Sequence, residues 1–234
     1  MRLQELAERL GVMQFRLSAE KTRSVLLVLQ GMDASGKDGT IRHVLDDVNP
    51  QGCHVVSFGV PTTTELAHDY LWRVHAQCPA HGELGVFNRS HYEDVVAVRV
   101  RGLVPERVWW ERYEHIRGFE RMLVDEGTTV VKVFLHLSRD EQRKRLQERL
   151  DNPEKRWKFR LGDLDDRGLW DDYMTAYEDA LRETSTEWAP WYVVPADHNW
   201  SRNLAVAEIL VDAFERLDPE FPKPDPGLDG VQVT

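Results

Sequence analysis

Gly31-Met32-Asp33-Ala34-Ser35-Gly36-Lys37-Asp38-Gly39-Thr40 follows the apolar run Val25-Leu26-Leu27-Val28-Leu29 and precedes a helical pattern from Ile41 to Val48. Strand, glycine loop and helix, in that order, are the context in which a phosphate-binding loop works. Gly31 and Gly36 permit backbone angles that other residues resist, so successive N–H groups can turn onto one anion. A helix starting near Lys37 adds the positive end of its dipole, and Lys37 supplies a mobile charge for the outer phosphates. The phosphate-binding set read here is Gly31, Ala34, Ser35, Gly36, Lys37, Asp38, Gly39 and Thr40. In the usual pattern a Ser or Thr follows the lysine and its hydroxyl holds magnesium. Here Asp38 stands in that place, and Asp33 lies inside the loop. A carboxylate among phosphate-binding amides is repelled unless a cation lies between them. Asp33 therefore reads as a magnesium ligand or as a base facing the reacting phosphate.

The remaining chain supplies an α/β frame for this loop. Leu3, Leu6, Leu10, Met13 and Leu17 predict an amphipathic helix over 3–20. Strands are predicted at 53–58, 85–87, 129–137 and 191–195, each followed by helical periodicity. Thr62 with Glu65 and Ser90 with Glu93 have capping-box spacing; in both loops capping and ligand contact stay open. A helix through Leu66, Tyr70, Leu71 and Val74 should follow the first, and one through Val95, Val96, Val98 and Val100 the second. Arg89, just past a strand end, can fork onto phosphate oxygens. Pro105 opens a long helix in which Arg112 and Arg117 read as ion-paired or solvated. Ser138 and Ser201 read as helix caps. The acids Asp163, Asp165, Asp166, Asp171 and Asp172 read as solvated helix starts. Cations concentrate between 139 and 160, and Asn152-Pro153-Glu154-Lys155-Arg156-Trp157-Lys158-Phe159-Arg160 breaks the helix as a basic lid would. The fold expected is a P-loop kinase-like three-layer α/β/α sandwich with a five-stranded parallel sheet and a helical lid, and likeness to the small kinases implies the strand order 2-3-1-4-5.

Composition limits the class. The chain has 234 residues, 41% hydrophobic and 30% charged, which predicts one globular domain over 1–217, a lid near 150–170 and a loosely held tail over 218–234. No apolar run reaches the about 20 residues that span a bilayer, and no signal-peptide core opens the chain. Cys53 and Cys78 form neither a disulfide framework nor a metal spacing, so a reduced cytoplasmic setting is expected. A formal charge of −10 argues against nucleic acid and membrane partners, yet leaves room for a polyanion held by clustered cations.

Together, the Gly31–Thr40 loop, Phe87-Asn88-Arg89-Ser90-His91-Tyr92-Glu93-Asp94 and Asn152–Lys158 resemble the polyphosphate kinase 2 family, as do Trp170-Asp171-Asp172-Tyr173 and Ala189-Pro190-Trp191. The resemblance runs in order over about residues 3–215. It implies phosphotransfer between inorganic polyphosphate and nucleotides (AMP, ADP, ATP) with magnesium, or manganese in its place, in a homodimer or homotetramer. Asn88, where many members have aspartate, is similar to the subgroup that accepts both AMP and ADP. On that resemblance Asp33 positions the metal and the attacking phosphate, and Lys37 and Arg89 hold the transferred group. Asn88, Arg89 and Glu93 would then serve the nucleotide, with Lys155, Arg156, Lys158 and Arg160 lining the lid or the polyphosphate path. The residues alone support phosphoryl transfer, which needs positioning and charge neutralisation more than a nucleophilic side chain. The competing expectations are an ATP-dependent nucleotide or small-metabolite kinase on the same fold, and a non-catalytic nucleotide sensor.

Overall fold

A computed structural model describes residues 2–228 and 231–232. Its centre is a five-stranded sheet in the order β2-β3-β1-β4-β5, with every neighbouring pair parallel. The strands are β1 (Ser24–Gln30), β2 (Cys53–Ser57), β3 (Leu84–Asn88), β4 (Thr128–His136) and β5 (Trp191–Pro195). All seven residues of β1 are buried, as an apolar run covered by helices on both faces requires. Leu29 of β1 lies level with Asn88 of β3 and Val133 of β4, so the loops after the three central strands open at one edge.

Alternation along β1 divides the core. Leu27 and Leu29 face a layer built with Leu6, Leu10, Leu17, Val44, Leu210 and Phe214. These come from α1 (Arg2–Glu20), α2 (Lys37–Val44) and α10 (Asn199–Leu217). Leu26 and Val28 face the opposite layer, with Phe87, Tyr113, Ile116 and Tyr177. That layer is carried by α6 (Glu106–Asp125) and α9 (Trp170–Thr184). Between β4 and α9 lie α7 (Arg139–Asp151) and α8 (Gly162–Gly168), joined by a 3-10 turn at Arg156–Lys158. Arg112 and Arg117 are used structurally, donating to Asp94 O and Glu183 O. Cys53 and Cys78 are unpaired and half-buried.

Several local expectations are corrected. The Thr62–Glu65 capping box forms, but its helix breaks into α3 (Thr63–Leu66) and α4 (Trp72–His75). Asp69 Oδ1 accepts from Leu71 N at 3.0 Å and starts a new turn, the competition that Asp offers a helix backbone. The Ser90–Glu93 box does not form. Ser90 Oγ accepts from Tyr92 N instead, and the segment is a 3-10 turn (His91–Asp94) followed by the single-turn α5 (Ala97–Val100). Four valines there are poor helix continuers. α2 stops at Val44 rather than 48. α10 begins at Asn199 behind His198, so Ser201 lies inside the helix and caps nothing. Asp163 is not solvated but 7% exposed, and Asp166 accepts from Arg101 and the Tyr173 hydroxyl. Beyond α10, Glu220 N donates to Glu20 and Phe221 meets Phe15 edge-on. The expected tail also includes residues 229, 230, 233 and 234, which lie outside the described residues. Among the described residues no helix is long and apolar enough to cross a membrane.

Docking of α1 onto α10 and the sheet gives the fold's outer layer its stability. Leu10 is fully buried in that layer, so Leu10→Ala should lower the unfolding free energy by about 2–5 kcal/mol, read as a shift of the urea midpoint at unchanged slope.

Candidate active site

The loop between β1 and α2 takes three turns in the left-handed region: Gly31 (φ 148°), Ala34 (φ 66°) and Gly36 (φ 99°). At Gly31 a Cβ would lie 2.7 Å from Leu135 O, and at Gly36 it would strike the Arg202 guanidinium. Glycine is required at both places by space as well as by angle. Ala34 has no such freedom, and holding it there costs about 1 kcal/mol or more, supplied by the surroundings. The loop's carbonyls show how. Ala34 O and Ser35 O accept from Arg145 Nη1 at 3.0 and 3.4 Å, and Ser35 O accepts from Arg202 Nη1 at 3.2 Å. Asp33 O accepts from Gln142 Nε2 at 3.1 Å. The carbonyls are thus drawn back against α7 and α10, while no side chain caps the start of α2. Its free N–H groups and dipole are left for an anion.

Four charged side chains converge on this loop. Lys37 is buried, and its Nζ donates to Gly31 O (2.7 Å) and Met32 O (3.3 Å), with Ser35 Oγ at 3.4 Å. Arg89, itself at φ 65°, brings Nη2 to 2.5 Å from Asp33 Oδ1. Glu93 lies beside them. In the amide orientation that satisfies its neighbours, Gln30 donates to Glu93 Oε1 at 3.2 Å and accepts from Ser90. Burial would push the Asp33 carboxyl up, but Arg89 and Lys37 outweigh it and hold the group below its ordinary value. At Glu93 burial wins over the same two cations and the carboxyl is raised. Burial, reinforced by the Arg89 charge, lowers the Lys37 ammonium to about 8. A second chain crosses the site: Asn88 Nδ2 donates to Asp38 Oδ1 at 2.7 Å, and Lys158 Nζ lies 4.0 Å from Asp38 Oδ2.

Not every residue singled out in the sequence joins this cluster. Asp33, Lys37, Asn88, Arg89, Glu93, Asp38 and Lys158 are brought together. Thr40 is fully buried, its hydroxyl 3.5 Å from Asn203 Oδ1, so it does not offer that group to a phosphate. Gly39 packs near Arg202. Lys155 is exposed, and Arg156 turns its Nε back to Leu150 O at 2.9 Å. Arg160 is also exposed, and its backbone N–H points to Asp163 at 3.4 Å. Other residues went unrecognised. Arg145 is a loop-holding group, not part of a solvated basic face. Arg202 and Asn203 fall on the helix face that continues as Val206, Ala207 and Leu210, a buried polar pair that helical periodicity could have flagged. Asp163 lies 3.6 Å from Arg149, and burial together with the Asp33 charge raises its carboxyl.

Among the described residues no group of three His, Cys, Asp or Glu is placed to hold a metal on protein ligands alone. The donor set still fits one kind of metal use. Asp33 is a hard oxygen beside two phosphate-seeking cations, and magnesium is commonly held by one or two carboxylates with substrate phosphates and water completing its shell.

A family model described as "Polyphosphate kinase 2 (PPK2)" matches residues 1–222. An AMP/ADP-polyphosphate phosphotransferase of Meiothermus ruber is 64% identical over 228 residues, covering 97% of this chain and 85% of the relative. An ADP-polyphosphate phosphotransferase of Rhodopseudomonas palustris is 49% identical over 236 residues, covering 96% and 82%. The crystal structure of polyphosphate kinase 2 from Arthrobacter aurescens TC1 superimposes with a TM-score of 0.93 at 47% identity, covering 95% of this chain and 80% of that one.

Two outcomes follow from the loop's geometry. Gly36→Ala should displace Arg202 and the loop together, abolishing most binding of pyrophosphate in a calorimetric titration. The Lys37 charge is lost as pH rises through about 8, so pyrophosphate affinity should fall across that range. Between about 8 and 10.5 the unfolded chain keeps the proton that the folded chain has shed, so this group makes folding more favourable with rising pH. Affinity should therefore fall without a Lys37-driven loss of thermal stability.

Proposed function

Because this chain belongs to the polyphosphate kinase 2 family, we propose that its phosphate-loop site carries phosphoryl groups from inorganic polyphosphate to both AMP and ADP. The chain is an enzyme, a phosphotransferase acting between polyphosphate and nucleotides on a P-loop kinase-like α/β fold. The single observation that carries the finer reading is the convergence of Lys37, Arg89 and Asp33 at the phosphate loop, at the open edge of the sheet. Phosphoryl transfer asks for this combination: cations on the transferred group, amides on its neighbours, and an acid to organise what attacks.

On this reading an oxygen of the nucleotide's terminal phosphate attacks the terminal phosphorus of the polyphosphate chain. The bridging P–O bond breaks, and the chain leaves one phosphate shorter. Lys37 exchanges its loop carbonyls for the incoming phosphate oxygens, which satisfy a buried ammonium better than carbonyl dipoles do. Arg89, released from Asp33, forks onto the group in flight. Asp33 is the residue that would hold a divalent ion, magnesium or manganese, which supplies neutralisation of the phosphate charges when bound. Asn88 and Glu93 orient the acceptor. Asn88 is bonded to Asp38 here, and an amide at that position tolerates both a mono- and a diphosphate where a second carboxylate would repel the longer one. Residues 150–170 act as the lid, with Lys158 reaching the cleft first; Lys155, Arg156 and Arg160 come to the phosphate chain when the lid closes and excludes water. Free thiols at Cys53 and Cys78 suit a cytoplasmic enzyme. A homodimer or homotetramer is the assembly we expect.

Purified protein given magnesium, polyphosphate and either AMP or ADP, with no ATP, should form ADP and ATP. No higher nucleotide in either reaction would sink the proposal in favour of an ATP-dependent kinase. Asp33→Asn and Lys37→Ala should each lower kcat by about a thousandfold, as loss of a transition-state charge partner does, while circular dichroism melts stay near wild type. Tight nucleotide binding without turnover in the wild-type protein would identify a sensor instead.

A further inference from the structure

Three residues beyond Arg89 in the chain, Tyr92 reaches buried charge that the transfer step does not touch. Lys132, in the middle of β4, and Glu120, on α6, form an ion pair of 2.5 Å with side chains 0% and 1% exposed. A pair so deeply buried is costly unless its remaining donors and acceptors are matched. Here they are matched, and chiefly by one residue. Lys132 Nζ donates to the Tyr92 hydroxyl at 3.0 Å and to Thr184 O at 2.8 Å. The Tyr92 hydroxyl in turn donates to Glu120 Oε1 at 2.8 Å. His91 Nε2 lies 3.3 Å from the same oxygen. Trp191 Nε1 donates to Thr184 Oγ1 at 2.9 Å and closes the cluster.

Tyr92 and His91 belong to the short segment that also carries Arg89 and Glu93. Arg89 stands in the left-handed region at φ 65°, a conformation that a non-glycine residue keeps only when its surroundings over-determine it. On its N-terminal side, Arg89 N donates to Leu29 O at 3.1 Å. On its C-terminal side the segment is a single 3-10 turn with no long helix behind it. There the Tyr92 hydroxyl is a deep anchor, alongside Ser90 on Gln30 and Asp94 O on Arg112. Apolar side chains of equal volume would fill the same space at lower electrostatic cost, but they would not fix one hydroxyl at one point.

We propose that Lys132, Glu120 and Tyr92 are positioning residues for the transfer step: through the Tyr92 hydroxyl they fix the backbone of the Arg89–Glu93 segment, and so place the Arg89 guanidinium at the phosphate loop, where it rests on Asp33 until the phosphoryl group arrives. The inference rests on the reading of Arg89 as the group that holds the transferred phosphoryl.

Tyr92→Phe removes the hydroxyl and keeps the ring. It should leave the thermal unfolding midpoint within a few degrees of wild type and the nucleotide KM unchanged, while kcat falls about tenfold or more. A paired replacement, Lys132→Met with Glu120→Leu, removes the charge without stranding either partner and should show the same loss of kcat in a folded protein. In an Arg89→Ala background Tyr92→Phe should cost less than about twofold, because the residue it positions is gone. Wild-type kcat in either folded variant overturns the proposal. So does activity that falls only with the folded fraction, or an equal fractional cost with and without Arg89. Wild-type turnover in Arg89→Ala overturns the reading of Arg89 as well; an inactive Arg89→Ala beside a fully active Tyr92→Phe overturns the positioning alone.

Discussion

A loop whose amides converge on an anion must turn its carbonyls the other way, and each of those carbonyls then needs a donor. Much of this molecule follows from that demand. Arg145 from α7 and Arg202 from α10 take the carbonyls of Ala34 and Ser35, and Gln142 takes that of Asp33. Arg145 also reaches Ala196 O and Asp197 O at 2.7 and 2.8 Å. The same guanidinium therefore ties the phosphate loop to the end of β5. The site is braced by helices more than a hundred residues downstream, and the strained angle at Ala34 is held by them.

The second constraint is the placement of charge. The chain carries a net −10, yet the cleft gathers Lys37, Arg89 and Lys158 against Asp33, Asp38 and Glu93. Each cation rests on a protein acceptor: Lys37 on loop carbonyls, Arg89 on Asp33, Lys158 near Asp38. On the proposed function a polyphosphate chain would replace those acceptors with denser negative charge, so such an arrangement needs no basic protein overall. The Lys132–Glu120 pair, neutral as a unit, is buried between β4 and α6, where water is excluded.

Local patterns in the sequence were read well where one short-range rule governs. The fully apolar β1 run, the Thr62–Glu65 capping box, the Ser138 cap and Pro105 ahead of α6 all stand as their residues suggest. They were misread where two short-range rules compete. Ser90 and Glu93 have capping-box spacing, but Ser90 bonds Tyr92 N and Glu93 turns toward Gln30 and the two cations. Asp69 interrupts a helix that periodicity carries through it. Ser201 follows the helix start at Asn199, whose side-chain oxygen accepts from Arg202 Nη1 at 2.7 Å within the first turn.

While the sheet order was expected only from likeness to small P-loop kinases, the sequence by itself determined the strand–loop–helix unit, the alternation of strands and helices and the identity of the central charged residues Asp33, Lys37 and Arg89. These depend on spacing along the chain, which is what a sequence records. Only the tertiary structure decided which cations face the cleft. Lys158 reaches Asp38 while Arg156 folds back on Leu150 O, and Arg145 and Arg202, no different in type, are spent on holding the loop. A guanidinium has the same donors wherever it sits. Its role is set by which acceptor lies within reach, and that acceptor is supplied by a part of the chain far away in sequence.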